Sequence, residues 1–355
     1  MSNRQTNRVA VGMSGGMDSS VAAALLVERG FEATGLTLRM CELACRSCNP
    51  KDIESAQLVA KTLGIEHRVF EAVDVFSEKV LDYFTREYLA GRTPSPCIVC
   101  NEKIKFGFML EKAVELGCET VATGHYAIVE REDDVFVLYR GKDISKDQSY
   151  FLHRLSQDQL SKIIFPLADS TKSGDVDQTA RRLNLSVVDR DESRDLCFVE
   201  EGRHLEFMEE RLENPPPPGP IMDSAGNRIG QHGGIHRYTI GQRKGLQVAW
   251  SEPLYVIRII VSENTIVVGT RDETSSEGCT VFDINWTGQP PPGRFICDTQ
   301  VRYRHKPGRS EIQLDKNGRA EVRFREPQFA VTPGQAAVFY EGRRVLGGGW
   351  IESSD

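Results

Sequence analysis

Two groups of residues in this chain carry the means for chemistry. The first is Gly12-Met13-Ser14-Gly15-Gly16-Met17-Asp18-Ser19, a Ser/Gly-rich turn directly after the β-branched run Val9-Ala10-Val11. A strand, a glycine turn and a helix N-terminus together make an anion site. Bare backbone N–H groups converge there and the helix dipole favours negative charge. Glycine lets the backbone approach closely. The lysine of G-x-x-x-x-G-K-[ST] is missing and the G-x-G-x-x-G spacing is not met, so neither common nucleotide fingerprint applies. The second group is the cysteines. Of nine, five fall between Cys41 and Cys100, as Cys41-x3-Cys45-x2-Cys48 and Cys97-x2-Cys100. Such spacing reads as reactive thiols or metal ligands. Cys100 precedes an expected helix, where a thiolate is favoured. His67 and His125 are lone histidines near turns, and read as hydrogen-bonded before they read as ligands.

The elements that must position these residues follow from periodicity and punctuation. Residues 7–12 and 32–40 read as buried strands with an Ala/Leu-rich helix of about residues 19–29 between them, closed by Gly30. This βαβ unit predicts a parallel sheet. Asn49-Pro50 opens a helix that Gly64 ends, with Asn as cap and Pro at the first helical position. A strand is expected over 67–73 and a helix over 76–89. Pro94 and Pro96 keep 91–97 out of a helix. A helix is expected over 101–116, then a strand running into Gly124, a hairpin over 127–139 and a strand over 183–188. In an open α/β sheet ligands bind beyond the carboxyl ends of strands, where the Gly12 turn, Leu38 and Gly124 all fall.

Composition bounds the class. The chain has 355 residues, 39% of them apolar, enough for two or three domains. No apolar run approaches ~18 residues, and Met1–Arg8 is polar without a signal-peptide h-region, so a cytoplasmic location is expected, with no membrane partner. A disulfide scaffold is not expected there. Pro215-Pro216-Pro217-Pro218-Gly219-Pro220 is a stiff connector, and a boundary is placed near residue 210. Short β-branched runs between Gly, Asn and Asp turns follow, as in all-β modules. Net charge is −7, yet Val301–Arg325 holds eight Lys/Arg against three Asp/Glu, a local +5. A basic tract on an acidic protein suits either a docking surface or a solvated strand face.

Several separate stretches fit one pattern. The SGGxDS turn resembles the phosphate loop of the PP-loop ATP pyrophosphatases. With Thr93–Phe106 (TPSPCIVCNEKIKF), Ala122–Ala127 (ATGHYA), Lys146–Leu152 (KDQSYFL), Leu196–Phe198, Tyr238–Leu246 (YTIGQRKGL) and Val301–Arg304, the chain resembles the tRNA-specific 2-thiouridylase family along nearly its whole length. The resemblance implies an α/β fold: a PP-loop catalytic domain with a parallel sheet (1–210), a small central β-rich domain (211–280) and a C-terminal β-barrel (281–355), the last two contacting tRNA. It implies an ATP-dependent sulfurtransferase that adenylates C2 of the wobble uridine and replaces its oxygen with sulfur from a cysteine persulfide. Mg²⁺ and a persulfide sulfur-donor protein come with that chemistry. By the resemblance Cys100 is the nucleophile and Cys197 the persulfide carrier. Gly12, Met13, Ser14, Gly15, Gly16, Met17, Asp18, Ser19, Leu38 and Gly124 hold ATP. Ser95, Pro96 and Cys97 meet the target base, and Lys146, Asp147, Gln148, Arg302 and Tyr303 meet tRNA.

Two features depart from the pattern. One branch of the family has aspartate where this chain has Cys97. The triplet Cys41, Cys45, Cys48 has the spacing of a radical-SAM cluster motif but follows the wrong fold unit for one. With Cys97 these thiols could stay free, or hold zinc or an iron–sulfur cluster. Two other classes compete for the chain: a PP-loop enzyme adenylating a small carboxylate or amide, and a non-catalytic tRNA-binding protein. The first would not need Cys100, Cys197 or the basic β region. The second would not need an intact Ser14, Gly15, Gly16, Asp18 and Ser19.

Overall fold

A computed structural model describes residues 7–41, 50–185, 196–200 and 202–354. They fall into two compact units. The first comprises Met1–Val80, Cys97–Gly202 and Arg343–Val345, the second Leu81–Pro96, Arg203–Gly342 and Leu346–Asp355, each over its described residues.

In the first unit β1 (Arg8–Gly12) leads to α1 (Met17–Glu28), β2 (Glu32–Arg39), α2 (Pro50–Leu63) and β3 (Glu66–Glu71). Then come β4 (Thr120–Ala122), the hairpin β5 (Ala127–Glu132) and β6 (Val135–Arg140), and β7 (Ile163–Ile164). Five strands form an all-parallel sheet in the order β3-β2-β1-β4-β7. Val9, Ala10 and Val11 are wholly buried, as expected of a strand covered on both faces. α1 is buried from Ser19 to Ala24 and at Leu26, which explains why it is small and apolar nearly all round. Gly30 and Gly64 adopt left-handed φ of 80° and 68° just past the two helices. The strand order reverses between β1 and β4, so the turns leaving these strands flank a crevice.

The segment from Cys97 onward is helical, but not regularly so. After Pro96–Val99, residues Cys100–Phe108 form wide turns with i→i+5 hydrogen bonding, and Met109–Glu115 returns to α geometry. The stretch expected as one helix over 76–89 is likewise broken, into Val73–Phe76, the wide turn Ser77–Leu81 and Asp82–Leu89. The expected strand over 183–188 is not formed over its described part. Leu183 closes the helix Asp177–Arg182, and Asn184 takes a left-handed φ of 47°. Residues 186–188 lie outside the described residues, as does Asn49, the expected cap of α2.

The second unit holds two β modules. β8 (Gly219–Met222), β9 (Arg228–His232), β10 (Tyr255–Ile260) and β11 (Thr265–Gly269) pair in the order β10-β11-β8-β9 around Ile221, Val256, Ile266 and Val268. β12 (Ser275–Trp286), β13 (Arg294–Gln300), β14 (Gly308–Leu314), β15 (Ala320–Phe329), β16 (Ala336–Glu341) and β17 (Arg344–Ser354) follow in the order β12-β15-β14-β13-β16-β17. β17 pairs back on β12 and closes a six-stranded barrel. Among the described residues no helix is long and apolar enough to cross a membrane.

Candidate active site

The turn after β1 is held open by bonds that leave its backbone donors facing a cleft. The Met13 N–H donates to Leu36 O (2.8 Å), and Thr37 Oγ1 donates to Met13 O (2.6 Å), tying the turn to β2. Gly15 has a φ of 75°, and a Cβ there would lie 2.3 Å from Asp52 O. Ser19 Oγ accepts from the Ser14 N–H (3.2 Å) and donates to Gly16 O (3.0 Å), while Ser20 Oγ donates to Gly16 O (2.9 Å). Gly16 caps α1 without a side-chain acceptor, so the first-turn N–H groups remain for an anion. Gly124 comes in from β4 so closely that a Cβ would lie 2.7 Å from Asp18 C and 2.8 Å from Ser19 N. The two glycine turns therefore make one cradle that side chains would fill.

That cradle is the floor of a cleft also lined by Leu36, Thr37, Leu38, Met40, Lys105, Met109, Thr123, His125 and Gln148. Asp18 Oδ1 accepts from Lys172 Nζ (2.6 Å) and from Tyr126 OH (2.8 Å). Gln148 Oε1 accepts from the Tyr126 N–H (3.1 Å). His125 is buried and its Nδ1 lies 2.6 Å from Thr123 Oγ1; burial and then Lys105 hold it well below the usual imidazole range, so it is neutral. His67 is bonded to Thr37 Oγ1 through Nε2 (2.8 Å), and burial lowers it too. Both histidines are thus hydrogen-bonded. Lys172, Tyr126 and Lys105 were not legible as site residues. Lys172 lies 154 positions from Asp18, and no local pattern marks such a pair.

Cys97, Cys100 and Cys197 are brought within range of one another's charge, together with Lys105. Cys100 is buried, whereas Cys97 and Cys197 are half-buried. Burial first, and then the neighbouring Cys197, push the Cys97 thiol up to about 11 against the pull of Lys105. Burial pushes Cys100 up to about 12, again opposed by Lys105. The expectation of a thiolate favoured at a helix start is therefore corrected: Cys100 lies inside a continuing helical segment and desolvation dominates. Phe198, buried and edge-on to Phe76 (5.8 Å), anchors the turn that carries Cys197. The polar neighbours Arg194 and Asp195 lie outside the described residues.

The remaining expected site residues are more dispersed. Leu38 lines the cleft. Ser95 and Pro96 belong to the second unit, where Gln335 Nε2 donates to Thr93 O and Pro94 O (3.0 Å each), whereas Cys97 belongs to the first. Asp147 turns inward, accepting from Arg140 Nη1 (2.8 Å), the Gly141 and Ser149 N–H groups (3.1 Å each) and Ser149 Oγ (2.9 Å). It shapes the turn that presents half-buried Lys146 and Gln148. Arg302 Nη2 donates to Ala330 O (3.3 Å) and Thr332 Oγ1 (3.1 Å), and Tyr303 carries the Arg304 guanidinium 5.5 Å from its ring centre. Cys41 is half-buried; Cys45 and Cys48 lie outside the described residues. Among the described residues no three His, Cys, Asp or Glu side chains are grouped to hold a metal ion.

Three family models match the chain: a tRNA methyl transferase HUP domain over residues 7–201, a tRNA methyl transferase PRC-barrel domain over 205–270 and an aminomethyltransferase β-barrel domain over 276–351. Similar curated proteins are the tRNA-specific 2-thiouridylases of Geobacter metallireducens, 41% identical and covering 100% of this chain and 99% of the relative, and of Carboxydothermus hydrogenoformans, 43% identical over 97% of each. That of Nostoc punctiforme is 44% identical over 97% of this chain and 99% of its own length.

Proposed function

The chain belongs to the tRNA-specific 2-thiouridylase family, and from that premise we propose that it activates uridine C2 of tRNA with ATP and replaces the oxygen with sulfur carried on Cys197. The observation that supports this most is Lys105, which lines the double-glycine cradle and lies within charge range of Cys97 and Cys100, themselves coupled to Cys197. The domain descriptions speak of methyl transfer. A phosphate cradle beside thiols suits a different task, activation of an oxygen and its replacement by sulfur.

A carbonyl oxygen of the base is a poor leaving group. In the proposed first step it attacks the α-phosphorus of ATP and pyrophosphate departs. The Ser14–Ser19 turn and the first N–H groups of α1 bind the phosphates, and Gly124 keeps the second wall low enough for them. Mg²⁺ would be held by Asp18 together with phosphate oxygens and would offset their charge. Lys172 and Tyr126 orient that carboxylate through Oδ1. Cys197, loaded as a persulfide by a donor protein, attacks C2 with its terminal sulfur; the C2–O bond breaks and AMP leaves. Cys100 then gives up its proton and attacks the Cys197 sulfur. The S–S bond to the base breaks, 2-thiouridine departs, and a Cys100–Cys197 disulfide remains for a thiol reductant to reopen. Cys97 lies within charge range of Lys105 and Cys197, and the reading places it, with Ser95 and Pro96, near the target base. Lys146, Gln148 and the basic face of the barrel bind tRNA in this reading.

The test is a thiolation assay with tRNA, ATP, Mg²⁺ and a persulfide donor, read by nucleoside mass spectrometry. Formation of 2-thiouridine dependent on ATP is expected. Pyrophosphate release with tRNA but no sulfur incorporation would leave only the adenylation half standing.

A further inference from the structure

The cleft holds one feature that the phosphate cradle and the thiols do not by themselves account for. Lys105 is the only Lys or Arg among the described residues that line it. It makes no hydrogen bond or ion pair among the described residues, while Asp18, the acid of the cleft, is already matched by Lys172. Its position follows from the irregular helix. Hydrogen bonding i→i+5 over Cys100–Phe108 sets residues five apart one turn above each other, so Cys100 and Lys105 share a face. A regular α-helix, at about 3.6 residues per turn, would put them on different faces. The wide turns thus place one unpaired ammonium in the cleft and within range of the Cys97 and Cys100 thiols.

Resting on the reading above, we propose that Lys105 times the two halves of the reaction: it pairs with the nucleotide phosphate while ATP or AMP is in the cleft, and favours the Cys100 thiolate once AMP has left. A single positive charge cannot serve both anions fully. While phosphate neutralises it, the small Cys100 thiolate fraction shrinks further and attack on the loaded Cys197 is slowed. When AMP departs the charge is released and that fraction rises, though the thiol stays mostly protonated; the Cys100 proton passes to solvent, and the thiolate attacks the Cys197 sulfur with expulsion of the thiolated base. The order of bond making is then set by one side chain, because nucleotide release and thiol activation draw on the same ammonium.

The test uses the full-length protein. Alkylation of Cys100 by iodoacetamide at fixed pH is followed by peptide mapping, with saturating AMP, saturating adenosine or neither. AMP is expected to slow Cys100 alkylation about tenfold, the equivalent of one pKa unit, and adenosine to leave it nearly unchanged. Lys105→Gln should start about tenfold slower and show no further effect of AMP, whereas Lys105→Arg should keep the AMP effect. In the wild type AMP should also protect Lys105 from acetylation by an activated ester, a readout that does not depend on any variant folding. Equal slowing by adenosine and AMP would mean simple obstruction and would overturn the proposal, as would acetylation of Lys105 that AMP does not alter. Failure of the wild type to make 2-thiouridine, with the AMP effects intact, would instead overturn the functional reading alone.

Discussion

The phosphate cradle and the thiol cluster belong to one unit of the fold but are built on opposite principles. The cradle is prepared in advance: Gly15 and Gly124 clear the space, α1 lacks a side-chain cap, and Asp18 is already oriented by Lys172 and Tyr126. The thiols are held in reserve, since burial keeps Cys97 and Cys100 protonated at neutral pH. An anion-binding site gains from rigidity because its ligand arrives charged. A nucleophile that must wait for another step gains from being inert until then. The difference teaches where activity can be separated by mutation.

The sharpest separation is between adenylation and sulfur transfer. Asp18→Ala is expected to lower tRNA-dependent pyrophosphate release by about a thousandfold while tRNA binding survives, since the proposed Mg²⁺ and the first turn of α1 would lose their carboxylate. Cys197→Ser is expected to keep pyrophosphate release and lose 2-thiouridine by at least about a thousandfold, as removal of a covalent carrier should. Parallel assays of pyrophosphate and modified nucleoside check both. Loss of both activities in the cysteine variant would mean that the two regions are not separable.

The cradle's rigidity has its own test. Gly15→Ala meets both a left-handed φ of 75° and a contact of 2.3 Å with Asp52 O, so backbone must move. A loss of about 3 kcal/mol in denaturant unfolding is expected. Gly30→Ala is the control, with a φ of 80° but nothing within 4 Å, and should lose only about 1 kcal/mol. Equal losses would show that conformation, and not close approach, governs Gly15.

The same contrast explains what could be read from sequence. β1, the Gly12–Ser19 turn and α1 were legible because β-branched residues, glycines and a small apolar helix each carry a local signal. The parallel sheet, the hairpin and the all-β character of the C-terminal half followed from alternation and turn punctuation, whereas the closed barrel was implied only by the family resemblance. The thiol region was legible as residue types but not as environment. Nothing local says that Cys100 is desolvated or that its helix widens, because i→i+5 turns leave no sequence period to detect. Lys105, inside the expected helix over 101–116, therefore carries no local mark of a cleft residue. Asn184 misled in another way: the apolar run beside it suggested a strand, but its left-handed backbone makes Leu183–Leu185 a helix terminus.

The reserve state of the thiols is checked by pH. A group raised to about 12 reacts as thiolate only as a small fraction at neutral pH. Raising pH removes the proton, so alkylation of Cys100 should quicken about tenfold per unit from pH 7 to pH 10, without a plateau. A plateau near pH 8 would mean an activated thiolate, and the contrast between prepared cradle and reserved thiol would collapse.

The smallest effect expected lies in the second unit and sharpens the comparison by adding a surface proposed to bind tRNA through charge alone. In β15, Val322 and Phe324 point into the barrel, whereas Glu321, Arg323 and Arg325 point out. Arg325 shares an open groove with His305, Lys306, Arg309 and Gln328, and with Asp298, which pairs with Arg309 at 3.5 Å. Arg325 itself makes no ion pair among the described residues. Arg302, the residue marked in the sequence for tRNA contact, is instead bonded to Ala330 and Thr332 of its own unit. The two arginines should therefore behave differently. Arg325→Gln is expected to leave unfolding unchanged and to reduce the slope of log K against log salt for tRNA binding by about one, the loss of a single phosphate contact. Arg302→Ala should cost about 1 kcal/mol of stability, because Thr332 Oγ1 loses its donor, while Ala330 O keeps the bond from Thr332 Oγ1. Filter binding over a salt series, with denaturant unfolding of the same variants, separates the two. A reduced salt slope for Arg302→Ala at unchanged stability would return that residue to the RNA surface and show the outward face of β15 to be only solvated.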